Sequence, residues 1–176
     1  MKETPEDLQH LQIILDQSFE QAGSFLRHSF QMPDHSLSAA QLVRYLQGFT
    51  YIAFATATSR GEPRVAPIGS LFYRGHFYLP TTMSALRVKH IKRQSAVSLT
   101  HFAENSLAII VHGHARILIP THPEFAVIEQ IQRAIQQGSP REWGDGAYLR
   151  VEADVIYTYA RYPERYSADP LAMDEP

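Results

Sequence analysis

Most residues from 149 to 159 alternate between apolar and polar side chains, which is the pattern of a strand with one buried face. Arg150, Glu152, Asp154 and Thr158 separate the apolar positions, which are Leu149, Val151, Ala153, Val155, Tyr157 and Tyr159. Successive side chains of a strand point to opposite faces, so the apolar set would pack together on one side. The segment therefore predicts a half-buried strand within a β-sheet domain.

Five earlier segments are also rich in aromatic, β-branched and small residues, and turn-forming residues separate most of them. These predicted strands are 49–58, 64–73, 76–79, 96–102 and 107–119. Short connections favour antiparallel neighbours, and six such strands suit a closed barrel because closure leaves no unpaired edge. We therefore predict a mainly β fold with peripheral helices, built on a six-stranded antiparallel barrel.

Helical spacing of apolar residues appears in four other places. One amphipathic helix is predicted over about 5–30 with Thr4 as its N-cap, and a second begins at Ser38. A short basic helix is predicted over 84–93, and a fourth helix follows Thr121. These helices would lie around the barrel, since none of them continues the strand pattern.

The length of 176 residues fits one domain with a sizeable core. We divide the chain into an N-terminal helical extension (1–37), a barrel domain (38–166) and a loose acidic tail (167–176). No internal repeat indicates a second copy of any unit.

The composition limits the chemistry that the chain itself can supply. Cysteine is absent, which excludes disulfides, thiolate metal sites and thiol nucleophiles. The formal net charge is −2, which provides no overall field to attract nucleic acid or an anionic membrane. No apolar segment is long enough to span a bilayer and no signal-peptide pattern is visible, so we expect a cytoplasmic protein.

The segment ahead of the basic helix has the residues of a phosphate site. Hydroxyls from Thr81, Thr82 and Ser84 come just before the helix, and Arg87 lies in its first turns. Hydroxyl groups and a guanidinium can all donate hydrogen bonds to a phosphate, and Arg can do so with two parallel bonds. The alternative is that the hydroxyls only cap the helix while its basic residues face water.

No arrangement of residues indicates a catalytic group or a metal centre. The sequence lacks an order of Ser, His and Asp typical of hydrolases, paired catalytic carboxylates and a zinc-protease helix. His112 and His114 share one strand face, but two histidines without a third nearby ligand predict surface residues better than a metal site. Redox chemistry, if present, would have to come from a bound cofactor.

Several of these motifs, taken in order, resemble the flavin-binding core of the pyridoxamine 5'-phosphate oxidase-like split barrels. Residues 51–99 carry the Ala55-Thr56 pair on the first strand and the Gly61-Glu62-Pro63 turn into the second. The Gly113-His114-Ala115 segment matches the small residues of the fifth strand, and the resemblance extends over about 38–160.

The resemblance implies an FMN site built from identified positions of this chain. The second strand would lie along the isoalloxazine ring, with Thr81 and Arg87 on the phosphate and Thr82 and Ser84 as further donors. The ring-lining residues would be Val65, Ala66, Pro67 and Ile68, and Arg64 would be a second candidate cation near the edge of the ring or the phosphate. Arg64 has the alternative of an exposed strand-end charge.

Trp143, the single tryptophan, would stack on a ring or substrate, or else seal a junction between helix and strand. The family also places FMN between two subunits, so the resemblance implies a homodimer with two cofactor sites.

Two departures from the family pattern limit the functional prediction. Ala85-Leu86-Arg87 stands where many relatives have Ser-Arg-Lys, and residues 159–166 lack the Arg-x-His motif of the true pyridoxamine phosphate oxidases. We therefore predict a flavin (FMN)-dependent oxidoreductase that transfers hydride to or from an unidentified small molecule other than pyridoxamine phosphate. The alternatives are a deazaflavin-dependent reductase of the same fold, or a non-enzymatic protein that binds flavin or haem.

Overall fold

Six antiparallel strands close into a barrel in the computed structural model, which describes residues 3–104, 106–136 and 138–167. The strands are β1 (Phe49–Ala57), β2 (Pro63–Tyr73), β3 (His76–Thr82), β4 (Ala96–Ala103), β5 (Leu107–Leu118) and β6 (Gly146–Ala160). Their order around the barrel is β1-β2-β3-β6-β5-β4, and pairing of β1 with β4 closes the ring. The predicted six-stranded antiparallel barrel is confirmed, and residues 168–176 of the predicted tail lie outside the described residues.

The barrel interior is filled by aliphatic and aromatic side chains from all six strands. Leu79, Ile109 and Leu149 have no exposed surface, and Phe54 and Leu99 are nearly as buried. Burial of such a side chain stabilises the folded state by about 1.5–3 kcal/mol relative to leaving it exposed. The hydrophobic pattern that predicted the strands therefore also forms the core.

The alternation predicted along β6 is right in its first half and wrong in its second. Leu149 and Val151 point into the core, but beyond Asp154 the inward positions are Ile156, Thr158 and Ala160. Asp154 has no partner in the register of β5 with β6, which makes it the extra residue of a β-bulge. One extra residue in a strand moves every later side chain to the opposite face.

Among the described residues, five α-helices surround the barrel: α1 (Pro5–Gln21), α2 (Ser24–Ser29), α3 (Ala39–Tyr45), α4 (Leu86–Ile91) and α5 (Pro123–Gln136). Thr4 and Ser38 form capping boxes at the starts of α1 and α3, as their positions predict. The single helix predicted over 5–30 is wrong, because Ala22 and Gly23 are extended and divide it. Two 3-10 helices, Pro140–Trp143 and Pro163–Tyr166, flank β6.

The N-terminal helix α1 shares its core with the barrel. Leu11 and Leu15 belong to the same buried cluster as the barrel residues. The hydroxyl of Ser18 accepts a hydrogen bond of 2.9 Å from the backbone N–H of Ile156 on β6. Within the described ranges, no helix combines the length and the apolar character that crossing a membrane requires.

Candidate functional site

A cavity of about 530 Å³ lies between α4 and neighbouring parts of β1 and β2. Its lining residues are Phe54, Thr56, Thr58, Arg64, Val65, Ala66, Ala85, Leu86, Arg87 and His90. Val88 and Ile91 of α4 are buried in the barrel core, which holds the helix in place. Arg87 immediately precedes Val88, and His90 immediately precedes Ile91. Because Arg87 and His90 are three residues apart, they share a side of the helix.

Most of the cavity surface is apolar. Phe54 and Ala66 contribute from the strands, and Ala85 contributes from the residue that precedes α4. Val65 and Leu86 also line it and are 67% and 68% exposed, which is high for aliphatic side chains. Cofactor and ligand pockets are typically lined in this way, with a few polar groups that fix orientation. This surface suits a flat, largely apolar ring.

Arg87 is the half-buried cation of the cavity. Burial lowers the pKa of its guanidinium, but an Arg side chain keeps its charge in proteins. In the part of the chain that the structure describes, no hydrogen bond or ion pair reaches this side chain. Arg64, in contrast, is paired at 2.8 Å with Glu62. Because an unpaired, partly desolvated charge is costly, Arg87 is the group best placed to receive an anion.

His90 is held in the cavity by a hydrogen bond to the neighbouring strand. Its Nδ1 lies 2.9 Å from the hydroxyl oxygen of Thr56, which is only 7% exposed. The bond fixes one ring nitrogen, so the Nε2 nitrogen is the one left for other contacts. The cavity thus combines a cation and an oriented imidazole with an apolar surface.

The structure brings four of the predicted site residues together around this cavity: Arg64, Val65, Ala66 and Arg87. The next two residues of β2 are not part of its lining. Ile68 points into the barrel core at 8% exposure, and Pro67 lies on the outside of the barrel opposite Ala53 of β1. Pro67 and Ile68 point to opposite faces of the sheet because successive side chains alternate along a strand.

Thr81, Thr82 and Ser84 lie outside the cavity lining, although they come just before α4. Strand β3 extends to Thr82 instead of ending at the predicted Leu79, because it continues to pair with β6. Thr81 is 4% exposed inside this sheet, and the hydroxyls of Thr82 and Ser84 lie 3.1 Å apart. The part of these residues in holding a phosphate stays a prediction.

Asp145 occupies the space beside these hydroxyls. Its carboxylate accepts a hydrogen bond of 2.8 Å from the backbone N–H of Ser84, and its carbonyl accepts one of 2.8 Å from Met83. A carboxylate at this position disfavours a second anion nearby. The acidic group was not identified from the sequence, because it lies 61 positions away from Ser84 along the chain.

Trp143 ends the 3-10 helix Pro140–Trp143 and is 51% exposed. It does not line the cavity described here. Its predicted stacking on a ring or substrate therefore stays a prediction.

Sequence reasoning missed Phe54, Thr58, Ala85, Leu86 and His90 as lining residues. His90 belongs to no motif in the sequence and carries no signal by itself. Its spacing of three from Arg87 within a helical pattern is the feature that could have identified it. Thr56 belongs to the Ala55-Thr56 pair of the family pattern, but its contact with His90 depends on how α4 packs against β1.

Comparisons with solved structures support the barrel architecture. The conserved hypothetical protein Rv2991 from Mycobacterium tuberculosis aligns with a TM-score of 0.63 at 14% identity, covering 74% of this chain and 89% of that chain. A protein described as an F420 reductase aligns with a TM-score of 0.52 at 18% identity, covering 63% and 91%. An FAD-binding protein from Mesorhizobium loti aligns with a TM-score of 0.51 at 16% identity, covering 62% and 82%. At these identities the likeness concerns the fold.

The sequence itself is matched by one family description. No curated protein matches it. The family model described as pyridoxamine 5'-phosphate oxidase matches residues 38–160, which include all six strands and α4. The resemblance on the strand and turn motifs is thereby confirmed, and the chain belongs to the pyridoxamine 5'-phosphate oxidase-like split-barrel family.

Proposed function

We propose that this protein is an FMN-dependent oxidoreductase that acts on an unidentified small molecule. The observation that carries the proposal is Arg87, a half-buried cation without a described partner, in a largely apolar cavity of about 530 Å³. A flavin mononucleotide has a flat ring for the apolar surface and a phosphate for the cation. The residues present therefore fit the cofactor that binds to many proteins of this fold.

Each part of the cavity would have a defined task in binding. Val65 and Ala66 would lie along the ring, where their small side chains allow close approach, and Arg87 would bind the phosphate. Arg64 would stay at the rim, where Glu62 neutralises it. When bound, FMN accepts or donates hydride itself, so the chain needs only to orient the ring and exclude water.

The structural relatives name other cofactors of the same class. One is described as an F420 reductase and another as an FAD-binding protein, and both share only the fold with this chain. A deazaflavin is therefore a competing occupant, and haem is the other alternative that the family resemblance left open. Absorbance distinguishes all three, since each has its own spectrum.

Identification of the bound cofactor tests the proposal directly. The full chain is purified, its absorbance spectrum is recorded, and any small molecule released on denaturation is identified by mass; the protein is then titrated with FMN, with F420 and with haem. We expect a yellow protein that binds FMN and whose flavin is reduced anaerobically by a reduced nicotinamide. Selective binding of F420 or haem would overturn the FMN assignment, and binding of none would overturn the function.

We also propose that the protein works as a homodimer that pairs through the outer face of β1. Tyr51, Ala53 and Ala55 alternate with buried residues of β1 and point away from the core. Tyr51 is 69% exposed. Val65 on β2 and Phe102 on β4 are each 67% exposed. Their neighbours across the strands are small or apolar: Gly69, Pro67, Thr100 and Ser98. An apolar sheet face with small residues at its centre fits a second copy of the same face.

A charge at the centre of this face should separate the subunits. Ala53 lies between Pro67 and Thr100, so Ala53→Arg would bury a guanidinium against the partner, and we expect a monomer where the unmodified protein is a dimer. Light scattering after size-exclusion chromatography measures the mass. The matched control is Ala126→Arg on the exposed side of α5, which should stay dimeric. A dimer that persists in Ala53→Arg would place the interface elsewhere.

A further inference from the structure

We infer that His90 contacts the phosphoryl group of the cofactor together with Arg87, and that Thr56 is the residue that positions His90. The inference rests on the proposed function, because it assumes that the cavity binds a phosphorylated flavin. It assigns a task to a strand threonine and a helix histidine that the sequence patterns leave without one.

The geometry of α4 places both groups on the cavity. Arg87 and His90 are three residues apart, line the same cavity, and flank the buried Val88. Lys89, in contrast, is exposed and outside the lining. Two donors on one side of a helix can bind two oxygens of one phosphate, whereas Arg87 alone leaves the remaining oxygens to water.

The bond from Thr56 determines which atom of His90 faces the ligand. The Thr56 hydroxyl is buried and lies 2.9 Å from Nδ1, so a threonine that donates there leaves the proton of a neutral imidazole on Nε2. An Nε2–H group can then donate to a phosphate oxygen. Fixing one ring nitrogen to orient the other is the arrangement seen for histidines that bind metals.

The charges around His90 favour this use. Arg87 stands on the same helix, and the paired Arg64 and Glu62 come from the β2 side. The uncompensated charge among them is positive, so a ligand anion is the missing counterpart.

The contrary explanation is that the bond between Thr56 and His90 only packs α4 against β1.

A comparison of FMN with riboflavin separates these explanations, because riboflavin has the same ring and lacks the phosphate. The dissociation constants of both ligands are measured by flavin fluorescence for the unmodified protein and for His90→Asn. Asn can keep the contact with Thr56 but is too short to reach the Nε2 position. We expect FMN affinity to fall about 10-fold while riboflavin affinity changes less than about 2-fold.

Substitutions of Thr56 test its positioning role. Thr56→Val keeps the shape and β-branching but removes the hydroxyl, and it should lower the preference for FMN over riboflavin about 5-fold. Thr56→Ser keeps a hydroxyl and should restore most of that preference. Lys89→Gln, which removes an exposed charge from the same helix, is the matched control and should leave the preference within about 2-fold.

Three results would contradict the inference in different ways. An unchanged FMN preference in His90→Asn removes His90 from the phosphate, while continued dependence on Arg87 would leave the proposed function intact. Equal losses of FMN and riboflavin binding mean that the bond to Thr56 is structural. If His90→Asn does not fold, Thr56→Val carries the test, because it removes the hydroxyl that contacts Nδ1 of His90, and an unchanged preference for FMN over riboflavin in that variant would contradict the inference. Failure of the unmodified protein to bind either flavin overturns the proposed function itself.

Discussion

Replacement of Arg87 by Glu should reduce FMN affinity by about 10- to 100-fold, since hydrogen bonds to a charged group contribute about 1.5–3 kcal/mol and 1.4 kcal/mol is tenfold. The substitution removes the half-buried cation of the cavity and places a carboxylate where the phosphate should bind. Like charges at short distance repel, and partial burial weakens screening by salt. The loss is measured by titrating the purified variant with FMN while flavin fluorescence is monitored.

The control for this variant makes the same change of charge on the same helix. Lys89→Glu alters an exposed residue outside the cavity, so its effect on FMN affinity should stay within about 3-fold and should shrink with added salt. Undiminished FMN binding by Arg87→Glu would refute the assignment of the phosphate to this residue. An equal loss in both variants would indicate a general effect of charge.

Gly113→Ala should lower the free energy of unfolding by about 3 kcal/mol, the upper end for inserting an atom into a packed interior. An added Cβ would lie 2.0 Å from the carbonyl oxygen of Glu152 and 3.0 Å from the Cα of Ala153. Both are backbone atoms of β6 beside the bulge at Asp154, so neither can rotate away as a side chain would. Urea unfolding monitored by fluorescence measures the difference.

Gly138→Ala is the matched control for that variant. An added Cβ at Gly138 meets no atom within 4 Å, and its backbone is not in the left-handed region that favours glycine. Ala at such a position should leave stability unchanged or raise it by up to about 1 kcal/mol, because it restricts the unfolded chain. Equal stability of the two variants would show that β5 and β6 can separate at the bulge without cost.

Local sequence patterns were sufficient for the architecture. The segments that became β1, β2, β4 and β5 were located to within a residue or two, since each combines strand-forming residues with a turn that ends it. Thr4 and Ser38 marked two helix starts for a similar reason, because a capping box involves only residues close in sequence. Features that depend on neighbours along the chain were predictable.

Features that depend on neighbours in space were not. The bulge at Asp154 changes which residues of β6 point inward, and the alternating sequence pattern of that segment does not predict it. The extension of β3 to Thr82 is a second case, because pairing with β6 decides where that strand ends. The division of 5–30 into α1 and α2 is different, since the Arg27 side chain donates to the Ala22 carbonyl only five residues away, and this local break was missed in the sequence.

The candidate site shows the same division. The order of motifs along 38–160 identified the family, and helical spacing in the sequence correctly predicted that Arg87 lies on a basic helix. That Arg87 faces a cavity shared with Val65 and Ala66, while Asp145 stands beside Ser84, was decided only when the strands and α4 packed together. Sequence alone therefore determined the barrel and its family, because patterning and turns are local. The tertiary structure decided which side chains share a surface, because barrel closure joins residues that are far apart in the chain.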